Sequence, residues 1–212
     1  MLHRPPLWLM AGLFSLTLAA CKESPPPAAP AAPKAPAAAP ASGSSSPAPA
    51  ASGAAAPAGG LLEQAAKGSG FTVGSMMAAK TIYVFFDPQC PHCGHLWEAA
   101  LPLANQLRMV WIPVAFIGTK SASQGAALLA AQDPAAAMTA HEKSLLAKQG
   151  GLIPPDNLPA ELASKVKANT ELWKQLGGES VPFTVFKKPG SEEVGKFAGA
   201  LDTENLKRLL GL

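Results

Sequence analysis

The chain has 212 residues, 22 of them proline, with 48% apolar and 15% charged side chains and a formal net charge of +3. Its lysines are scattered, which excludes a basic nucleic-acid surface, and three cysteines are too few for a disulfide-stapled scaffold or an all-cysteine zinc site. A fibrous chain and a multi-span membrane protein are excluded as well.

Residues 1–20 read as an export address. Positive charge at the start is followed by an apolar run over 7–18, too short to cross a bilayer comfortably but the right size for the h-region of a secretory signal. The run ends in Leu18-Ala19-Ala20, immediately before Cys21. That pattern resembles the lipobox of bacterial lipoproteins, in which the cysteine is lipidated and becomes the mature N-terminus. The alternative is an ordinary signal peptide cut at the same small residues, with Cys21 incidental. The resemblance implies a periplasmic protein anchored through Cys21, and Lys22 at the next position points to the outer membrane.

From 21 to 60 the chain is mostly alanine and proline, with serine and glycine making up most of the rest. Such a segment has almost nothing large to bury and cannot offset its ordering entropy, so a disordered linker is expected. Extended at roughly 3.1 Å per residue it would reach on the order of 100 Å. A spacer between membrane and domain is the reading that follows.

Residues 61–212 have ordinary composition and the length of one α/β domain. A short helix is predicted over 61–67. The run 81–86 is β-branched and aromatic without alternation, as in a strand buried on both faces. Asp87-Pro88-Gln89 breaks it, and a helical pattern follows over 90–107, with a kink expected at Pro102. A second strand is predicted over 108–117, then alanine-rich helices over 121–131 and 135–148, split at Asp133-Pro134. After a loop over 149–158, Pro159 suits a first helical position, and helix continues in pieces to 176. Strands are expected over 183–187 and 194–197 around Lys188-Pro189-Gly190. A last helix over 203–210 is capped by Asp202.

The chemistry is concentrated in Cys90-Pro91-His92-Cys93. The strand-to-helix transition places Cys90 at a helix N-terminus, where unpaired N–H groups and the dipole favour a thiolate. Pro91 suits the first turn, and His92 would lower the Cys90 pKa further if it donates or is protonated. Cys93 lies on the same helix face, so it can resolve a mixed disulfide formed at Cys90. A structural disulfide over so short a loop would constrain little. Haem attachment needs histidine directly after the second cysteine, where this chain has Gly94. A copper or zinc carrier using Cys90 and Cys93 remains an alternative to a redox pair. Trp97, Trp111 and Trp173 read as core or rim packing, Asp87 as a turn former or else a group that tunes thiol ionisation, and His95 and His141 as surface residues.

The run IYVFFDPQCPHC at 82–93, with Trp97, Pro102, the stretch AALLAAQDP at 126–134 and GGESVP at 177–182, resembles the catalytic domain of the periplasmic DsbC/DsbG disulfide isomerases, nearer DsbG. The resemblance covers roughly 71–212. It implies a thioredoxin-like fold with a helical insertion. It also implies thiol–disulfide exchange on cysteines of exported proteins, with no cofactor beyond the Cys90–Cys93 disulfide and a membrane electron donor or acceptor that resets the pair. Pro182 would be the cis-proline that faces the cysteines, with Val181 pairing with substrate; otherwise it is a trans proline opening an edge strand. Those isomerases carry an N-terminal dimerisation domain where this chain has its proline-rich stretch, so a monomer is expected. Val181 and the Pro91-His92 dipeptide match the oxidase DsbA instead, and by that likeness a stabilised Cys90 thiolate would make the pair oxidising. A DsbG-like reductase or isomerase is the first reading and a DsbA-like oxidase the second.

Overall fold

The computed structural model describes residues 60–212. The expected signal segment, Cys21 and the proline-rich stretch up to residue 59 lie outside the described residues. The chain begins with helix α1 (Leu61–Ala65) and strand β1 (Phe71–Gly74), followed by β2 (Lys80–Phe86), α2 (Pro91–Ala100) and β3 (Leu107–Pro113). Three helices come next: α3 (Ser121–Ala130), α4 (Pro134–Leu146) and α5 (Ala160–Gln175). Strands β4 (Phe183–Lys187) and β5 (Val194–Ala198) and helix α6 (Thr203–Leu210) complete it.

The five strands form one sheet in the order β1-β3-β2-β4-β5. The β2–β3 pair is parallel, with Val84 opposite Trp111, and the other pairs are antiparallel. β2 sits at the centre, and from Val84 to Phe86 every residue is buried, as an unbroken apolar run demands. α2 packs on α4 and α6, and α5 packs on α3 and α1. Beneath the active helix, Phe71, Phe86, Trp97 and Trp111 form an edge-to-face cluster, with Trp97 and Trp111 centroids 4.9 Å apart at 73°. Such pairs add about 0.5–1.5 kcal/mol beyond their burial. Trp97, Trp111 and Trp173 are all core residues. The thioredoxin-like α/β fold with its helical insertion is the one implied by the sequence resemblance.

Several boundaries differ for physical reasons. β1 was not expected: four residues carry too short a pattern, and their strand geometry comes from pairing Phe71 with Trp111 and Val73 with Met109. The helix after Cys90 does not run to 107 with a kink. It ends at Ala100, and Leu101–Leu103 is a 3-10 turn, because Pro102 has no N–H to continue the ladder. The strand expected to reach 117 stops at Pro113, since the Phe116 and Ile117 N–H groups are taken by a carboxylate rather than a neighbouring strand. α5 is one continuous helix, with Pro159 just before its first turn. Asp202 caps α6 as expected, accepting from the Asn205 N–H at 2.8 Å.

Candidate active site

β2 delivers the chain to Asp87-Pro88-Gln89, and Cys90 then occupies the N-cap of α2 in extended geometry (φ −98°, ψ 109°), with Pro91 in the first turn. The Cys90 N–H donates to the Asp87 carbonyl at 2.9 Å, and the Cys90 carbonyl accepts from the Cys93 N–H at 2.9 Å. Both cysteines are thiols; Cys90 retains 3% of its surface and Cys93 none. Their environments push the two groups apart. The Cys93 thiol, donating to Cys90, is the largest influence lowering the Cys90 pKa from 9.0 to about 7, helped by the backbone N–H groups of Cys93 and His92 and opposed by burial and the Asp87 charge. Burial, more than any other cause, drives Cys93 well above its ordinary value. His92 thus acts on Cys90 through its amide; its ring is exposed, 6.5 Å from that of His95.

Opposite the pair, the Val181–Pro182 peptide bond is cis. The Cys90 Sγ–H points at the Val181 carbonyl at 3.5 Å. The structure therefore brings Cys90, Pro91, His92, Cys93, Val181 and Pro182 to one place, at the carboxyl end of β2 and the start of β4.

Residues read from the sequence in other roles, or in none, hold this junction. Asp87 is fully buried and more than a turn former. Its Oδ1 accepts from the Gln89 N–H and the Ser121 hydroxyl, each at 2.7 Å; its Oδ2 accepts from the Phe116 and Ile117 N–H groups at 2.7 and 2.8 Å. Gln89 donates to Gln124, which donates in turn to the carbonyls of Gly150 and Leu152 at 2.9 and 2.8 Å. His141 is not a surface residue: it has no exposed surface. Its Nδ1 accepts from the Leu152 N–H at 3.0 Å, so the proton sits on Nε2, which donates to the Pro88 carbonyl at 2.6 Å. Burial lowers its pKa and keeps it neutral. Glu142, its neighbour on α4, is also buried and pushed up to about 9, chiefly by burial and then by the Cys90 charge. A helical signal for both existed: Met138, His141, Glu142 and Leu145 follow the spacing of a buried stripe.

Other features bear on what the site can do. Phe116 and Ile117, about half exposed, stand where Asp87 holds their amides, and Gly118 lies against the Gln89 side chain. Among the described residues no three His, Cys, Asp or Glu side chains are grouped as a metal site requires. A pair of thiols three residues apart, one ionising near neutrality and one sealed and protonated, can exchange with an external disulfide and then close on itself.

Comparison with known proteins gives a family. The thioredoxin-like domain family matches residues 77–212. The thiol:disulfide interchange protein DsbG of Pseudomonas aeruginosa is 32% identical over 136 residues, covering 63% of this chain and 52% of that protein. DsbG of Escherichia coli K12 is 29% identical over 145 residues, covering 65% and 55%. The chain thus spans about half the length of the curated relatives it matches. Among solved structures, the catalytic domain of Proteus mirabilis ScsC aligns with a TM-score of 0.53 at 21% identity, over 68% of this chain and 88% of that one. A periplasmic thioredoxin-like protein from Salmonella enterica serovar Typhimurium aligns at 0.57 and 16%, over 71% and 94%. These likenesses speak to the fold.

Proposed function

The chain belongs to the thioredoxin-like domain family, and from that premise we propose that it is an exported thiol–disulfide oxidoreductase that reduces or isomerises disulfides in periplasmic proteins. The observation that carries this reading is the asymmetry of the two thiols, with Cys90 ionising at about 7 and Cys93 held protonated by burial. Cys90 thiolate attacks a client disulfide, one client sulfur leaves with the bonding electrons, and a mixed disulfide remains. Cys93 then attacks Cys90, closing the Cys90–Cys93 disulfide and releasing the client as a thiol. In isomerisation a different client thiol attacks the client sulfur of the mixed disulfide first, forming a new client disulfide and expelling Cys90 as thiolate, so the pair stays reduced. The Val181 carbonyl, 3.5 Å from Cys90 Sγ, would accept from a client backbone N–H beside Cys90. Phe116 and Ile117 offer apolar contact to an unfolded client.

The reducing direction rests on the overall likeness to the relatives named DsbG, and the Cys90 pKa of about 7 agrees with it. A strongly oxidising pair has a very acidic thiol, as in DsbA at about 3.5, whereas about 7 is typical of thioredoxin. Oxidase activity is the second reading, favoured by Val181 and by Pro91-His92, which match DsbA. The exchange draws its two electrons from the pair, without another cofactor, and a membrane electron donor resets it. Lipidation at Cys21 and the proline-rich linker would hold the domain on the periplasmic side of a membrane. The relatives named DsbG support the class of chemistry. Acid quench of cells followed by alkylation with a thiol-reactive mass tag tests the direction. A mostly reduced Cys90–Cys93 pair is expected, and a mostly oxidised one overturns the reductase reading in favour of the oxidase.

A further inference from the structure

The last turns of α5 place one side chain against both loops that border the cysteine site. In the sheet β3 and β4 flank β2, β3 parallel to it and β4 antiparallel. The loop that leaves β3 and the loop that enters β4 therefore both meet the carboxyl end of β2, just before Cys90. The first loop carries Phe116 and Ile117; the second carries Val181. Along one stripe α5 buries Val166, Asn169, Thr170 and Trp173. Asn169 donates to the Pro113 carbonyl at 2.9 Å, and Thr170 Oγ1 accepts from the Ala115 N–H at 2.9 Å, so the stripe grips the start of the first loop. Trp173, one turn on, reaches both loops. Its ring centroid lies 4.9 Å from that of Phe116. Its carbonyl accepts from the Gly178 N–H at 2.9 Å, and a methyl group at Gly178 would overlap the indole at Nε1, Cδ1 and Cε2.

Two features of this contact need a cause. Trp173 is 1% exposed, yet its indole N–H has no partner, whereas a buried tryptophan usually finds one. Gly177 has a φ of +81° and turns the chain out of α5, but Gly178 lies outside the positive-φ region. The ring, not the backbone, therefore requires glycine at 178. The indole is held for its breadth and flatness rather than for a hydrogen bond, with Phe116 and Gly178 both resting on it.

We propose that Trp173 is a positioning residue that sets the gap between Phe116 and Val181, and thereby favours clients that present an extended chain with an apolar side chain beside the reacting cysteine. The inference rests on the exchange reading of the preceding section, in which Val181 pairs with client backbone and Phe116 meets apolar client side chains. One client segment must reach both groups at once, and either contact alone is weak. Their spacing therefore decides whether the segment gains one contact or two. Trp173 is sealed from solvent and acts through the two loops, not on the sulfur chemistry.

The test uses the full-length chain with Cys21→Ala, reduced, and two disulfides of the same chromogenic aryl thiol. One joins the aryl thiol to the cysteine of an extended peptide with a neighbouring leucine; the other joins it to mercaptoethanol. Cys90 thiolate attacks the alkyl sulfur, the disulfide bond breaks, and the aryl thiolate leaves with the electron pair. In G178A the added methyl meets the indole and displaces the second loop. The peptide concentration at half-saturation should rise about tenfold, the scale at which overpacking is felt, while the saturated rate and the mercaptoethanol rate stay within about threefold of the parent. W173L should act the same way, whereas W173F, which keeps a flat ring without the orphan N–H, should stay within about threefold of the parent in half-saturation. In the double variant G178A/W173L the methyl has room, so alanine should add less than about threefold to the effect of W173L alone. G178A leaves Trp173 in place and carries the test should W173L fold poorly. Peptide and mercaptoethanol rates that fall together overturn the assignment of Trp173. So does a half-saturation in G178A within about threefold of the parent. A parent that releases aryl thiolate from neither disulfide overturns the exchange reading itself.

Discussion

Replacing Cys93 by alanine should raise the titration midpoint of Cys90, whereas replacing it by serine should leave it almost in place. The Cys93 thiol is the donor that lowers Cys90 most, and the amides of Cys93 and His92 add less. Serine keeps a donor at the same point of the helix; alanine leaves only the amides. The whole displacement, from 9.0 to about 7, corresponds to about 2.7 kcal/mol between the two protonation states. If the thiol supplies half, alanine moves the midpoint up by about one pH unit, or about 1.4 kcal/mol. A rate at a single pH would conceal this. At pH 7 the thiolate fraction falls from about one half to about one tenth, but a more basic thiolate is about threefold more nucleophilic, leaving a net change of only about twofold. The assay is therefore iodoacetamide alkylation followed from about pH 5 to about pH 10, in chains with Cys21→Ala, with the midpoint read from the curve. An alanine variant whose midpoint stays within about 0.3 of the parent would refute the reasoning and assign the acidity to the helix N-terminus alone.

Asp87→Asn turns an amide N–H toward donors that now face a carboxylate, so at least one buried donor pair loses its acceptor. The expected cost is about 3 kcal/mol, read as a lower urea midpoint at unchanged slope; a loss below about 1 kcal/mol would mean water replaces those bonds. Cys21→Ala should move the protein from the membrane to the soluble fraction of cells, and continued membrane association would contradict the lipid anchor. Glu142→Gln should stabilise the reduced protein at pH 7. The carboxyl is raised from 4.5 to about 9, so its contribution is fully present below 4.5 and is lost as pH rises toward 9. At pH 7 that loss is bounded at about 3.4 kcal/mol. The gap between parent and variant should close near pH 4.5; a gap independent of pH would mean the carboxyl is not held neutral.

The features legible in the sequence were those whose cause is local. The apolar run of β2, the break at Asp87-Pro88, the helix start at Pro91 and the Asp202 cap are each set by a few adjacent residues. The pair Cys90–Cys93 was legible for the same reason, and the family resemblance located Val181-Pro182 across from it. What failed was set by distant partners. Phe71–Gly74 becomes a strand because β3 is beside it, and residues 114–117 leave the strand because Asp87 takes their amides. His141 was assigned to the surface because histidine is more often exposed than buried. Its burial depends on two backbone groups, Pro88 and Leu152, that no local pattern brings together. The aligned stripe of Met138, His141, Glu142 and Leu145 carried the missing signal, but only to a reading that tolerates polar residues on a buried face.

Those distant partners have a common origin, and this bears on how the site is controlled. Asp87 bonds to Phe116, Ile117 and Ser121, the Pro88 carbonyl to His141, and Gln89 to Gln124, while Gly94 faces Glu142. All of these partners belong to residues 116–142, the segment after β3 that includes the inserted helices. The side chains between the cysteines, Pro91 and His92, are instead exposed. A substitution there changes the surface a client meets beside Cys90 without disturbing the junction, so it should alter reactivity and leave stability nearly unchanged. A substitution at Ser121, Gln124 or His141 removes a buried bond that fixes the backbone leading into Cys90. It also shifts the amides that stabilise the thiolate, so reactivity and stability should fall together. The insertion is in this sense a structural part of the cysteine site, and it sets the positions from which the Cys93 and His92 amides reach Cys90.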